Sequence, residues 1–358
     1  MDALTTPSNW QRVRLGDIAN YLTSNLSAEQ ITQQGKIKVY DVNNFIGYTN
    51  TTFISDKPYI SIVKDGSVGR VRILPPKTNI LSTMGALIAN HKTTTEFLFY
   101  LLSNFDFKNF TSGSIIPHIY FKDYKEKTIF LPPLNEQIAI ANILSALDRY
   151  LHALDSLILK KEGVKKALSF ELLSQRKRLK GFNQTWQRVR LGDIANYLTS
   201  NLSAEQITQQ GKIKVYDVNN FIGYTNTTFI SDKPYISIVK DGSVGRVRIL
   251  PPKTNILSTM GALIANHKTT TEFLFYLLSN FDFKNFTSGS IIPHIYFKDY
   301  KEKTIFLPPL NEQIAIANIL SALDSEIISL KNKKRQFDNI KKALNHDLMS
   351  AKIRVLKK

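Results

Sequence analysis

The chain has 358 residues, enough for two ordinary domains, with 43% hydrophobic residues and 47 Lys and Arg against 29 Asp and Glu, a formal charge of +18. The absence of cysteine excludes a disulfide scaffold, thiolate-ligated zinc, an iron–sulfur cluster and a thiol nucleophile. No apolar run approaches ~18 residues and residues 1–10 carry no signal-peptide pattern, so the expectation is a cytoplasmic protein with an acidic partner and no membrane.

In chain order, segments 37–42, 59–63, 68–74 and 127–131 read as short strands bounded by Gly, Asp and Pro, and 95–104 as a helix. The fold class is therefore α+β. Phe97, Phe99, Tyr100, Phe105, Phe107 and Phe110 suit a core better than base stacking. Leu131-Pro-Pro-Leu134 stops whatever precedes it, Asn135 is placed as an N-cap with Glu136 in the first turn, and no proline follows until after residue 185. Ile140, Leu144, Leu147, Leu151, Leu154 and Ile158 alternate steps of four and three, a coiled-coil seam. The seam slips near Gly163, which predicts a kink or stutter, and resumes through Val164, Leu168 and Leu172. Carried to about Lys180, such a helix is roughly 70 Å long at ~1.5 Å per residue.

The dominant feature is a repeat. Residues 10–148 recur without one change as residues 186–324, an offset of 176, and 139 residues is the size of a domain rather than of a solenoid unit. The segments that follow are related but diverged. In the second, Ile316, Leu320, Leu323, Ile327 and Leu330 repeat the seam, then Phe337, Ile340, Leu344, Leu348 and Val355. Each repeated module carries only +3, whereas residues 149–185 carry +6 and 325–358 carry +7. The organisation expected is two identical modules, 1–134 and 183–310, separated by two long helices, 135–182 and 311–358. Chain order favours antiparallel pairing of these helices, a pseudo-twofold arrangement that brings Lys358 close to Trp10; the alternative is that each helix folds back on its own module.

Catalytic signatures are missing. There is no G-x-G-x-x-G, no P-loop, no Asn/Asp-Pro-Pro-aromatic tetrapeptide and no nuclease carboxylate pair followed by Lys. His91 and His118 stand singly in each module, so neither a metal site nor a catalytic triad is expected, and the chain reads as non-catalytic.

The order of these motifs resembles the specificity subunit of type I restriction-modification systems over essentially the whole chain. Leu131-Pro-Pro-Leu-Asn-Glu-Gln-Ile138 leading into Ile143-Leu144-Ser-Ala-Leu-Asp148, repeated from Leu307 to Asp324, is similar to the entry of that family's long helices. Trp10 with Val13-x-Leu15-Gly-Asp-Ile18, Asp65-Gly-Ser-Val-Gly-Arg-Val71, Ser112-Gly-Ser-x-x-Pro117-His-Ile119, Lys177-Arg-Leu-Lys-Gly-Phe182 and Lys352-Ile-Arg-Val355 support it. The resemblance implies that each module is a target recognition domain reading half of a split site in double-stranded DNA. It implies that the helices set the spacing and dock two methyltransferase subunits, which hold the S-adenosylmethionine, with restriction subunits as optional further partners. Family members usually carry two different recognition domains; two identical ones predict an interrupted palindrome. The rival reading is a two-headed DNA-binding scaffold or regulator that works without methyltransferase partners.

For DNA contact, the turn around Ser67, Arg70 and Arg72, with Lys64 and Lys77 beside it, offers guanidiniums suited to guanine or phosphate. Thr111, Ser112 and Ser114 offer hydroxyls for a phosphate, followed by His118, Tyr120 and Lys122, and Asn43 and Asn44 could read adenine edges. The equivalents in the second module are Asn219, Asn220, Lys240, Ser243, Arg246, Arg248, Lys253, Thr287, Ser288, Ser290, His294, Tyr296 and Lys298. Each also fits a plain polar turn or strand face. Lys160, Lys161, Lys165, Lys166, Lys333, Lys334, Arg335, Lys341 and Lys342 on the helices could face spacer DNA, acidic partners or only water.

Overall fold

The computed structural model describes residues 9–355. The chain divides into two compact units, residues 9–155 with 332–355 in one and 156–331 in the other. Each therefore takes in one module together with segments of both long helices.

In the first unit the strands are, in chain order, β1 Gln11–Arg14, β2 Ala19–Thr23, β3 Ile37–Tyr40, β4 Phe45–Thr49, β5 Tyr59–Val63, β6 Val71–Leu74, β7 Asn79–Ile80, β8 Met84–Ala89, β9 Thr111–Ser112, β10 His118–Ile119 and β11 Thr128–Leu131. Helix α1 (Thr95–Ser103) follows β8 and α2 (Phe121–Tyr124) follows β10. Strands β2-β8-β5-β6 form an antiparallel sheet, β4-β3-β7 a smaller mixed sheet, and β1 with β11 and β9 with β10 two antiparallel pairs.

Strand β5 is buried along its whole length, so its near-continuous apolar run reflects a sheet covered on both faces. Ile60 and Ile62 point to one core with Phe97, Leu98 and Tyr100 of α1, while Tyr59 and Val63 point to a second with Leu74, Ile80 and Met84. Burying each such side chain contributes about 1.5–3 kcal/mol. Phe97, Tyr100 and Phe107 lie inside the larger core and Phe99, Phe105 and Phe110 pack against it, in agreement with their reading as core residues. The expected strand 68–74 starts late: Gly69 sits at φ 80°, and a Cβ there would lie 2.6 Å from the Phe107 ring, so 64–70 is a loop. The second module repeats these elements at the 176-residue offset.

Both tails are single 40-residue helices, Leu134–Leu173 and Leu310–Met349. The first starts one residue earlier than expected, so Asn135 lies inside the first turn and is not the cap. Its inward residues are Glu136 and Gln137. Gln137 accepts from the Thr93 hydroxyl (2.9 Å) and donates to the carbonyls of Lys92 and Pro132, pinning the long helix to the start of α1. The helix stops at Leu173, about 60 Å in length, and the chain leaves through Gln175 at φ 63°; Ala351, at φ 59°, ends the second tail in the same way.

The expected break near Gly163 is absent. The helix runs unbroken, and the half-buried or buried positions continue in steps of three and four from Ile158 through Lys161, Lys165 and Leu168 to Leu172. Val164 is exposed, as is Ile340 in the second tail, where the seam passes through Lys334, Phe337 and Lys341. Leu151, Leu154, Ile158, Leu172, Ile327 and Leu348 are buried, and Leu147, Leu168, Leu323, Leu330 and Leu344 half-buried.

Within each unit the helical segments run antiparallel. In the first, Asp148 pairs with Lys341 and Asp155 with Lys334; in the second, Lys161 pairs with Glu326 and Lys165 with Asp324. The tail that follows one module completes the core of the other. Leu344, Leu348, Met349, Ala351 and Val355 pack into the first module's core, and Leu168, Leu172, Leu173 and Leu179 into the second's. Folding of each helix back onto its own module is not what these cores show. Lys358 lies outside the described residues, but Arg354 reaches Asn9 and Glu136 beside Trp10.

One helix, Leu310–Met349, is long and apolar enough to cross a membrane by length and composition. Ile316, Ala317, Leu320 and Ile327 of that helix are buried within the second unit, and Asp324 and Glu326 are ion-paired there.

Candidate nucleic-acid interface

Three loops carry most of the candidate residues: the β3–β4 turn, the β5–β6 loop and the β9–β10 hairpin with α2. In the turn, Asp41 accepts from the backbone amides of Asn43 (2.8 Å) and Asn44 (2.6 Å), which fixes both asparagines. Arg70 then donates to Asn43 Oδ1 (2.7 Å) and Arg72 to the Asn43 carbonyl (2.8 Å), with the Arg72 guanidinium 5.3 Å from the Tyr40 ring centre. Asn43, Arg70 and Arg72 are thus one exposed cluster, brought together from 27 and 29 residues apart. A guanidinium has five donors, so each arginine keeps several free for a base edge or phosphate after binding Asn43. Asn43 has its side-chain oxygen engaged by Arg70, while Asn44 is held through its backbone amide to Asp41.

The β5–β6 loop is also zipped to the hairpin. His118 Nδ1 is 2.7 Å from Asp65 Oδ1, Gly66 N donates to the Pro117 carbonyl and Ile119 N to the Lys64 carbonyl. Tyr120 is 48% exposed, its ring stacked 6.4 Å from that of His118, and Lys122 lies 5.5 Å from its centre. The Thr111 hydroxyl donates to the Phe107 carbonyl and the Ser112 hydroxyl to the His118 carbonyl (3.5 Å), so these two brace the hairpin while keeping acceptor lone pairs. Ser67 and Ser114 are exposed on the loop and the hairpin tip.

Lys77 is not gathered in; it sits at φ 56° on the turn after β6, bonded through its backbone to Ser55. Behind the hairpin, Tyr21 stacks on Phe121 at 4.5 Å, and burial, then Asp65, holds its phenol above the ordinary tyrosine range. In the second module Lys240, Tyr296 and Lys298, with Tyr197 and Phe297, line a recess of about 370 Å³. Asn219 with Arg246 and Arg248, and His294 with Asp241, repeat the first module's contacts. Lys253 repeats the turn of Lys77, at φ 58°.

The helical lysines divide into two sets. Lys161, Lys165, Lys334 and Lys341 are spent on ion pairs along the seam, whereas Lys160, Lys166, Lys333, Arg335 and Lys342 are exposed. Lys341 also lies 5.8 Å from the Tyr100 ring, whose hydroxyl donates to Asp148 (2.7 Å); burial and this carboxylate push the Tyr100 phenol far above its ordinary value. Lys165, Tyr276 and Asp324 repeat the arrangement in the other unit.

Two groups of residues have a placement that the sequence reading did not assign them. Arg178 and Arg354 bind the buried carboxylates Glu312 and Glu136, which also accept from Trp186 and Trp10. Their signal was available, since both stand at the 176-residue offset within otherwise diverged tails. The other is the isoleucine pair at the hairpin tip, 115 and 116, whose signal was two β-branched residues inside a Gly-Ser…Pro turn. Among the described residues, no group of three or more His, Cys, Asp or Glu is placed to hold a metal ion.

A twice-repeated α+β module presenting loop-borne arginines and asparagines, joined to long paired helices, defines a class of two-headed recognition subunit. The Type I restriction modification DNA specificity domain matches residues 7–161 and again 183–337, and the chain belongs to that family. It is 25% identical to the type I restriction enzyme MjaVIII specificity subunit of Methanocaldococcus jannaschii over 99% of this chain and 95% of that one. A putative MjaX specificity subunit of the same organism is 28% identical over 98% and 95%. The crystal structure of a type I restriction-modification S subunit from M. genitalium shares the fold, with a TM-score of 0.68 at 23% identity over 97% of this chain and 98% of that one.

Proposed function

We propose that this chain reads a bipartite site in duplex DNA for a type I restriction-modification complex, one module to each half-site. The observation that carries the reading is the cluster of Asn43, Arg70 and Arg72 beside the Asp65–His118 pair, present identically in both modules on loops and the strand ends that hold them. Arginines with donors to spare and an exposed asparagine are the side chains that pair with guanine and adenine edges in the major groove.

The long helices act as spacer and as dock for two methyltransferase subunits, which bring S-adenosylmethionine, with restriction subunits added where the system has them. Leu159, Phe170 and Ile328, on the outer faces of the helices, are 68%, 52% and 58% exposed, apolar surface suited to a protein partner. Antiparallel tails with identical readers call for identical half-sites in inverted order, so the target is an interrupted palindrome. Mapping modified adenines across the genome with and without this gene tests the reading. The expected result is loss of methylation at one interrupted inverted repeat; an asymmetric or continuous target would overturn it.

A further inference from the structure

Ile115 and Ile291 are 92% and 93% exposed, more than any other large apolar side chain among the described residues, and each has a second isoleucine beside it, Ile116 or Ile292, at 55%. Single exposed hydrophobics are ordinary on protein surfaces, but a pair on a braced tip is not. The tip is held from two sides. Gly113 turns at φ 90°, where a Cβ would come within 2.3 Å of the Ile116 carbonyl oxygen, so the loop closes on itself only with glycine there. Its stem, β9 with β10, is fastened to the β5–β6 loop by the Gly66 to Pro117 and Ile119 to Lys64 hydrogen bonds and by the Asp65–His118 pair. Gly289, Asp241 and His294 repeat all of this in the second module.

The surroundings of the tip are hydroxylated and carry more cations than carboxylates, with Asp65 taken up by His118 and Asp123 following Lys122. Ser112 and Ser114 lie on the hairpin itself, Lys64 and Arg70 on the loop fastened to it, and Tyr120 and Lys122 directly after it. Polar rims surround protein-binding hot spots as well, so what points to DNA is the cationic and hydroxylated make-up of this one, the groups that hold phosphates, and a protein contact is one outcome of the test. An apolar side chain projecting from such a rim can enter between base pairs, unstack a step and kink the duplex while the cations hold the backbone on either side. Because the hairpin is already ordered, insertion costs little further conformational entropy.

We propose that Ile115 and Ile291 are wedges that insert into the DNA next to each half-site and kink it. The inference rests on the DNA-reading role above and adds to it a position at which sequence is sensed through the ease of unstacking rather than through hydrogen bonds.

The test uses the full chain, alone and coexpressed with methyltransferase subunits, on a duplex carrying the mapped site. Permanganate reactivity reports unstacked thymines and end-to-end energy transfer reports the kink. The wild-type protein is expected to produce one reactive step per half-site and a shortened end-to-end distance. Ile115→Ala with Ile291→Ala should abolish both signals and weaken site binding about tenfold, with an unchanged melting temperature because the tip makes no core contact; Ile115→Phe with Ile291→Phe should keep them. Wild-type binding without reactive steps or kink, or retention of both by the alanine variant, overturns the wedge alone. So does an alanine variant that binds DNA normally but no longer copurifies with its subunits, since the tip would then be a protein contact. Failure of the wild-type protein, in either form, to bind any duplex at low salt overturns the DNA reading itself and the wedge with it.

Discussion

Glu136 is 1% exposed and charged, a combination that persists only when the carboxylate is answered from within the protein. Trp10 Nε1 (3.2 Å) and the Arg354 guanidinium (3.1 Å) answer it, and the arginine comes from 218 residues away. Arg354→Ala leaves the carboxylate with the indole alone and should cost about 3 kcal/mol, the penalty of a buried charge stripped of its partner. Denaturant unfolding measures this, and a loss under ~0.5 kcal/mol would show that Glu136 is solvated in the folded protein. Arg354→Lys, which keeps the charge but not the fork, should fall between. The same separation explains what the sequence could not show at the candidate interface. Arg70 and Asn43 were each legible as polar loop residues, but their hydrogen bond depends on how β3 and β6 are placed, and no local pattern encodes that.

The long helices show the opposite balance. Their apolar spacing was legible almost residue by residue up to Ile158, and the strands at 37–40, 59–63, 71–74 and 128–131 were found because apolar runs ended at Gly, Asp or Pro. The expected slip at Gly163 followed from tracing the seam through apolar residues alone. Lys161, Lys165, Lys334 and Lys341 lay their stems along the partner helix and carry their charges to Glu326, Asp324, Asp155 and Asp148, so the 3-4 alternation continues through charged residues. Gly163 itself has no structural duty: it is helical, exposed, and a Cβ there meets nothing within 4 Å. Gly163→Ala should therefore stabilise the helix by about 1 kcal/mol, seen as a rise of a few degrees in melting temperature. A hinge at this point would instead make the substitution neutral or harmful.

At the scale of the whole chain, the two identical modules are completed by tails that differ, yet each tail presents the same contacts: Lys165 and Arg178 to the second module, Lys341 and Arg354 to the first. A half-length chain, residues 1–182, holds one module and the tail that in the full protein seats on the other copy. That tail cannot reach its own module's socket, because Lys165 lies roughly 40 Å along a continuous helix from Gln137, where the helix is pinned. It can reach an identical socket on a second half-chain, and two half-chains exchanging tails close reciprocally through the Lys165 and Arg178 contacts, while the Lys161–Glu326 and Asp155–Lys334 pairs are lost because Tyr150 and Ile158 stand in place of Glu326 and Lys334. The half-chain is therefore expected to be a dimer by light scattering across the micromolar range and to bind the same duplex target as the full chain. Lys165→Glu with Arg178→Glu should reduce it to a monomer, placing a like charge against Asp148 and Glu136 of the partner half. A wild-type half-chain that stays monomeric at tens of micromolar would show that the tail recognises something other than the module socket.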